Sequence, residues 1–223
     1  MNNNLVQTAR KLRLSGLLAT LEMRLQEATS HQLAHEQFLE LVFQDELNVR
    51  AHRLIERRRT AAAFRELKPL DDFDWDFNPS IKRGQIYDLA TGNFVRQNRD
   101  LLLLGPPGVG KSCLAQAIGY GAIRAGFVVG YCSVFDLVRD LQADCSPAQA
   151  QRTLNRFLKP DLLAIDDFGM KHFPTKSAES LLEIIVRRHQ NRSTLMTSNR
   201  PIEEWGQLLG DVPAATAILD RFL

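Results

Sequence analysis

The fold is decided by the stretch Leu101-Leu102-Leu103-Leu104-Gly105-Pro106-Pro107-Gly108-Val109-Gly110-Lys111-Ser112. Its first four residues form an apolar run without a polar face, which is typical of a parallel strand covered on both sides. The remainder fits the pattern GxxxxGK[ST], in which a glycine-rich loop leads into a helix and holds phosphates. The stretch therefore predicts a strand, a phosphate-binding loop and a helix in direct succession.

The chemistry of this loop can be assigned residue by residue. Pro106 and Pro107 have no amide hydrogen, so the donors are expected to be amides from Gly108 onward, at a helix N-terminus that favours anions. Lys111 is expected to reach the β- and γ-phosphates and Ser112 to ligate Mg²⁺, so the predicted cofactors are ATP or ADP with Mg²⁺. The alternative is a strand-to-helix turn with a surface lysine. The predicted nucleotide-binding residues are Gly105, Pro106, Pro107, Gly108, Val109, Gly110, Lys111, Ser112 and Cys113.

Two acids follow a second apolar run, Leu162-Leu163-Ala164-Ile165. In an open α/β sheet, ligands bind beyond the carboxyl ends of the strands. Asp166 is therefore expected to hold Mg²⁺ together with Ser112, and Asp167 to orient or deprotonate the attacking water. Asn199, after the apolar run 194–197, is a second catalytic candidate that could orient the water. Solvated strand-end acids and a turn-forming asparagine are the alternatives.

Arginines supply two further candidates. Arg221 follows the helical run Ala214 to Leu219 and is either a surface residue or a finger that completes a neighbouring subunit's site. The second candidate is a dense cluster opposed only by Glu56, and it predicts a salt-dependent contact with DNA phosphates. A solvated charged helix face is its alternative. The cluster consists of Arg50, Arg53, Arg57, Arg58 and Arg59.

The remaining pattern predicts the architecture. Helical periodicity covers 4–29 and 33–63, an acidic and aromatic linker follows, and short apolar runs then alternate with helices over 112–125, 134–142, 147–158 and 177–190. Further strands are expected at 127–131, 162–165 and 194–197. The predicted domains are an N-terminal helical domain at 1–67, a linker and start of the core at 68–100, and an ATPase core at 101–223. The fold class is α/β, with a parallel sheet flanked by helices.

Bulk composition excludes several classes of protein. The 223 residues are 44% apolar and 24% charged with a net charge of +2, which predicts a packed core and excludes global disorder. Three cysteines without CxxC spacing predict reduced thiols and no metal cluster. Neither a signal peptide nor an apolar run of membrane-spanning length is present, so we expect a cytoplasmic protein without a membrane partner.

Taken together, these motifs and their order resemble the IstB family, AAA+ P-loop ATPases that assist transposases of bacterial insertion sequences. The resemblance rests on the loop, Asp166-Asp167-Phe168-Gly169, Thr197-Ser198-Asn199-Arg200-Pro201 and Ala217-Ile218-Leu219-Asp220-Arg221. It implies an AAA+ core with strand order 5-1-4-3-2 and self-association into an oligomer in which Arg221 completes a neighbour's site. It also implies ATP-dependent binding to duplex DNA, which is presented to a cognate transposase.

Two departures from the family pattern qualify these implications. Many AAA+ ATPases have Asp-Glu where this chain has Asp166-Asp167, so slow hydrolysis with ATP as an assembly switch is expected. Four strands are predicted rather than five, so we expect the core to continue beyond Leu223. The alternative functions are a DnaC-like helicase loader that acts on single-stranded DNA and a non-hydrolysing, nucleotide-dependent adaptor.

Overall fold

The computed structural model describes residues 3–143, 146–170 and 175–222. The chain divides into two compact units, Met1–Arg57 and Arg58–Leu223. The sequence-based division into 1–67, 68–100 and 101–223 stays a prediction. No helix among the described residues has both the length and the apolar character that a membrane crossing requires.

The described residues form helices of varied length and one small sheet. The helices are α1 (Asn3–Lys11), α2 (Ser15–His31), α3 (His35–Ala62), α4 (Arg83–Ala90), α5 (Asn93–Arg96), α6 (Lys111–Arg124), α7 (Val134–Gln142), α8 (Pro147–Leu158), α9 (Thr175–Arg188), α10 (Trp205–Leu209) and α11 (Val212–Phe222). The strands are β1 (Leu101–Leu104), β2 (Val129–Ser133), β3 (Leu162–Phe168) and β4 (Ser193–Ser198). Single 3-10 turns lie at Leu70–Asp72 and Ile202–Glu204.

The N-terminal unit is a helical pair preceded by a short helix, and here one prediction was wrong. Periodicity predicted a single helix over 4–29, but α1 ends at Lys11 and α2 begins at Ser15, with Arg13 in the left-handed region at φ 57°. The new N-terminus of α2 is stabilised by Glu46 of α3, whose carboxylate accepts from the amides of Gly16 (2.7 Å) and Leu17 (3.0 Å). A cap supplied from about 30 residues away leaves no local signal in the sequence. The predicted break before α3 is confirmed.

The second unit contains a parallel sheet in the order β1-β4-β3-β2. All four predicted strands are present, and the fold class is confirmed: an α/β P-loop fold with helices flanking a parallel sheet. β2 begins two residues later than predicted, at Val129. The order agrees with the 1-4-3-2 part of the AAA+ arrangement. β1 lies at one edge of the described sheet. Its first three residues are half-buried and Leu104 at its end is 44% exposed, so this strand is covered less completely than its apolar run predicted.

The core of this unit lies between the sheet and α7, α8, α9 and α11. Ile165 of β3 and Met196 of β4 are fully buried there, beside Phe168 and Trp205, whose ring centroids are 4.4 Å apart. α6 also packs closely on α4. A Cβ built on Gly121 of α6 would lie only 2.3 Å from the carbonyl oxygen of Ala90, so this close approach requires glycine. Neither α4 nor α5 was predicted, since both are short and lie in the region read as a linker and the start of the core. The sheet ends that carry the predicted site are therefore held from both faces.

Candidate nucleotide-binding site

The predicted phosphate loop connects β1 to α6, and its backbone has the conformation that its glycines permit. Gly108 (φ 82°) and Gly110 (φ 90°) both lie in the left-handed region. No atom lies within 4 Å of a Cβ built on Gly108, so the space in front of this residue is open. α6 begins directly at Lys111, and the first amides of a helix have no intrahelical acceptors. Loop and helix together form a cradle of the kind that binds a phosphate.

Lys111 already points back along this loop. Its Nζ donates to the carbonyl oxygens of Gly105 and Pro106, both at 2.7 Å. Burial lowers the pKa of Lys111, while the negative charges of Asp166 and Asp167 act in the opposite direction. The ammonium group is therefore held at the loop, between its carbonyl groups and the two acids.

Asp166 is the most enclosed acid of the site, with 1% of its surface exposed. Three hydroxyl groups donate to its carboxylate: Ser112 (3.0 Å) and Thr197 (2.5 Å) to Oδ1, and Tyr131 (2.5 Å) to Oδ2. Burial, and then the bond to Asp166, raises the pKa of Tyr131. The sequence-predicted pair of Ser112 and Asp166 is thus brought together, and the two hydroxyls that hold the acid from β2 and β4 were missed.

This pairing fits a Mg²⁺ site of the kind found in nucleotide-binding proteins. Mg²⁺ takes hard oxygen ligands and commonly uses one or two protein groups, with the rest from water and substrate phosphates. Ser112 Oγ and Asp166 Oδ1 supply two such oxygens 3.0 Å apart. Among the described residues, no cluster of three or more His, Cys, Asp or Glu side chains could hold a metal alone. The donor set fits a metal bound together with nucleotide.

Asp167 adopts a strained conformation in a bulge of β3. Its φ is 62°, uncommon for a residue other than glycine, and the register between β3 and β4 shifts between Ile165 and Phe168. Its amide donates to Thr197 Oγ1 at 3.0 Å, and its side chain is 33% exposed. Burial and the neighbouring Asp166 raise the pKa of Asp167, while Arg65 and Lys111 act in the opposite direction. The bulge turns this acid toward the cavity while Asp166 stays buried.

Asn199 follows β4 and lines the same cavity as the loop. Its Nδ2 donates to Met170 Sδ at 2.9 Å, and its buried Oδ1 has no hydrogen-bond partner among the described residues. Buried polar atoms are rarely left unpartnered, so a water or ligand hydroxyl group is expected there. This position is compatible with the predicted role in orienting a water molecule.

These side chains surround one cavity of about 390 Å³, within the size range of small-molecule sites. It brings together much of the predicted set, namely Pro107, Gly108, Gly110, Lys111, Ser112, Cys113, Asp167 and Asn199. It also includes residues that the sequence did not single out, namely Glu66, Lys68, Gln116, Met170 and Thr197. Gly105, Pro106, Val109 and Asp166 support this cavity without lining it.

Comparison with known proteins identifies the family. The family of IstB-like ATP-binding proteins matches residues 7–223. A Geobacillus stearothermophilus protein named for ATP binding in insertion sequence IS5376 is 33% identical over 196 residues, 88% of this chain and 78% of the relative. A Pseudomonas aeruginosa protein named for ATP binding in IS21 is 33% identical over 213 residues, 96% of this chain and 80% of the relative. This chain belongs to the IstB-like ATP-binding family.

Solved structures confirm the AAA+ type of the fold. DnaI matches the IstB-like chain with a TM-score of 0.56 and 23% identity, over 69% of this chain and 85% of DnaI. AMPPCP-bound DnaA from Aquifex aeolicus matches with a TM-score of 0.58 and 18% identity, over 70% of this chain and 48% of that DnaA chain. At such identities the likeness concerns the fold alone.

The structure does not bring Arg221 to this cavity. The residue lies near the end of α11 and its guanidinium donates to the carbonyl oxygen of Ala217, one turn earlier. Its predicted role is directed toward a neighbouring subunit, so it stays a prediction.

The arginine cluster lies on α3 of the IstB-like chain, and several of its members have partners within their own unit. Arg50 pairs with Glu46 at 2.7 Å, Arg53 donates to Ser15 Oγ at 2.5 Å, and Arg58 donates to the carbonyl oxygen of Gly126 at 2.6 Å. Arg50, Arg53, Arg57 and Arg59 are nevertheless exposed. The predicted contact of this cluster with DNA stays a prediction.

Proposed function

We propose that this chain is a Mg²⁺-dependent ATPase that binds duplex DNA and presents it to a transposase, with ATP hydrolysis as the regulatory switch. The observation that carries the enzymatic part is the arrangement of Lys111, Ser112 and Asp166 at one end of the cavity, with Asp167 facing into it. A phosphate cradle, an ammonium group, a pair of metal-binding oxygens and a second acid are the parts that phosphoryl transfer needs, because catalysis there is mostly positioning and charge neutralisation.

Each residue has a distinct task in this proposal. The loop amides and Lys111 bind the terminal phosphates, and Ser112 with Asp166 holds Mg²⁺, which neutralises the phosphate oxygens when it is bound. Asp167 orients a water molecule and accepts its proton as the water oxygen bonds to the γ-phosphorus. The bond from that phosphorus to the bridging oxygen breaks, which yields ADP and inorganic phosphate. Asn199 helps to orient the water, and Arg221 acts on the γ-phosphate of a neighbouring subunit.

The DNA and transposase parts rest on the family and on the charge of α3. The relatives are named for ATP binding in insertion sequences, elements whose movement requires a transposase. Arginines at positions 50, 53, 57, 58 and 59 offer a sequence-independent contact to backbone phosphates, because guanidinium groups bind phosphate without reading bases. We expect duplex binding to require ATP, and the affinity to fall steeply with salt.

Nucleotide titration and turnover assays test the enzymatic part. Lys111→Ala is expected to weaken ATP binding, and Asp167→Asn to retain binding but lose turnover. A wild-type protein that ignores ATP and ADP in the presence of Mg²⁺ would refute the whole proposal. A protein that binds ATP, never hydrolyses it and still assembles would instead be a nucleotide-dependent adaptor.

Gel-shift assays with ATP, ADP or no nucleotide test the DNA part. Arg57→Gln is expected to weaken duplex binding and to reduce its salt dependence, while Arg187→Gln on α9 removes an exposed arginine outside the cluster and serves as the matched control. Equal losses in the two variants would contradict the α3 assignment. Tighter binding to single strands than to duplex would indicate a helicase loader.

A further inference from the structure

The residues after α3, which we call the connecting segment (63–68), contact β2 and α6 through Phe64 and Glu66, the neighbours of Arg65 on either side. The ring of Phe64 lies 5.8 Å from that of Tyr131, centroid to centroid, and a Cβ on Gly119 of α6 would lie 3.1 Å from it. The amide of Glu66 donates to Gln116 Oε1 of α6 at 3.0 Å. An aromatic contact and a hydrogen bond therefore fix the backbone that carries Arg65.

Arg65 extends from this fixed backbone to the acid that faces the cavity. Its Nη1 lies 3.6 Å from Asp167 Oδ2, and its Nη2 lies 3.4 Å from Asp136 Oδ2. Asp136 has a second cationic partner, since Arg139 Nη2 lies 2.9 Å from its Oδ1. In the described part of the chain, Arg65 is the cation that the structure pairs with Asp167 by a salt bridge.

We propose that Arg65 is a positioning residue that restrains hydrolysis by engaging one carboxylate oxygen of Asp167, Oδ2, so that this oxygen is not available to the attacking water. The inference rests on the proposed role of Asp167 as the water-activating acid. While Oδ2 is paired with Arg65, that oxygen is turned toward the connecting segment, and water activation requires the carboxylate to leave this partner. The connecting segment follows α3 in the chain after a turn at Ala63 (φ 59°). If duplex DNA binds the arginine cluster as proposed, we expect it to displace the backbone of Arg65 and to free Asp167.

Steady-state turnover of the full chain tests this restraint. Arg65→Met removes the charge and retains a long apolar side chain, so kcat without DNA is expected to rise about two- to fivefold, as suits a half-exposed ion pair, with KM for ATP unchanged. Arg65→Lys retains the charge and is expected to restore the wild-type kcat. Arg139→Met is the matched control, because it removes the other cation on Asp136 and leaves Asp167 paired. An unchanged or lower kcat in Arg65→Met overturns the inference.

Asp167→Asn, assayed in parallel, separates the failure of this inference from the failure of the proposed function. If Asp167→Asn still turns over ATP like the wild type, Asp167 is not the water-activating acid and both ideas fall. If it is inactive and Arg65→Met behaves like the wild type, the restraint alone is refuted.

Hydrogen exchange supplies a readout besides activity. The amide of Glu66 is protected by its bond to Gln116, so its exchange rate reports whether the connecting segment is seated. Duplex DNA is expected to accelerate this exchange in the presence of a non-hydrolysable ATP analogue. In turnover assays with ATP, the same DNA is expected to raise the wild-type kcat toward that of Arg65→Met. DNA that leaves the exchange of the Glu66 amide unchanged overturns the coupling between α3 and Asp167.

Discussion

Tyr131→Phe is expected to weaken the binding of ATP in the presence of Mg²⁺ by about 10- to 100-fold. The variant deletes one oxygen, the hydroxyl that donates to Asp166 Oδ2 at 2.5 Å in a buried environment. A hydrogen bond to a charged group contributes ~1.5–3 kcal/mol, which corresponds to a factor of roughly 10–150. The two bonds that remain on Asp166 both go to Oδ1, so the variant leaves Oδ2 without the hydroxyl group that orients it.

The assay is a titration with a fluorescent ATP analogue in excess Mg²⁺ and again in EDTA. Because Asp166 acts on the nucleotide through the metal, the loss is expected with Mg²⁺ and is expected to be absent in EDTA. Tyr120→Phe, on α6 and outside the hydroxyl network of Asp166, is the matched control. A urea unfolding curve of each variant separates a local effect from a loss of fold.

Two results would refute this reasoning. An affinity within about twofold of the wild type in Mg²⁺, with a folded protein, would mean that Tyr131 does not orient the metal-binding carboxylate. An equal loss in Mg²⁺ and in EDTA would mean that the hydroxyl acts on the nucleotide pocket without the metal.

Three further predictions concern stability. Arg188 is 1% exposed and donates to several backbone carbonyl oxygens, which Arg188→Met would leave without this donor. Since an unsatisfied buried acceptor costs ~1–3 kcal/mol, urea denaturation should show a loss of at least about this size in the unfolding free energy. Asp45 has its pKa lowered to about 2 from 3.8 by the Arg24 guanidinium, so its contribution is present above about pH 4 and is lost as pH falls toward 2. Circular dichroism in acid should show that Arg24→Met abolishes this part of the pH dependence. Gly121→Ala should cost ~1–3 kcal/mol because the new methyl group meets a backbone oxygen of α4, whereas Gly84→Ala, with open space around it, should not.

The sequence predicted those parts of the site whose residues stand close together in the chain. The phosphate loop sits within eight consecutive residues, from Gly105 to Ser112, and the structure places it between β1 and α6 as expected. Asp166 could be paired with Ser112 because parallel strands end at the same edge of a sheet. The four strands and the helices between them followed from apolar runs that alternate with helical periodicity.

The parts that were missed depend on how distant segments meet. Tyr131 and Thr197 reach Asp166 only because β3 lies between β2 and β4. The sequence of a single strand does not specify which strands will be its neighbours. The available signal was a hydroxyl group at the end of each apolar run, Tyr131 in 127–131 and Thr197 in 194–197. Glu66 and Lys68 line the cavity because the connecting segment passes beside α6, in a region interpreted as an extended linker.

Three hydroxyl groups hold the buried carboxylate of Asp166. A threonine hydroxyl has one proton and two lone pairs. Thr197 gives its proton to Asp166 Oδ1 and accepts the amide of Asp167, so one side chain on β4 fixes both acids of β3. The bond from the Asp167 amide also helps to hold Asp167 in its left-handed conformation. Such a conformation costs on the order of 1–3 kcal/mol and persists only where the surrounding structure enforces it. Thr197→Val should therefore disturb the two acids together, so Mg²⁺ binding, which reports on Asp166, and turnover, which reports on Asp167, should both fall. Thr197→Ser keeps the hydroxyl group and should change neither. Unequal effects on metal binding and on turnover in the valine variant would show that the two acids are held independently.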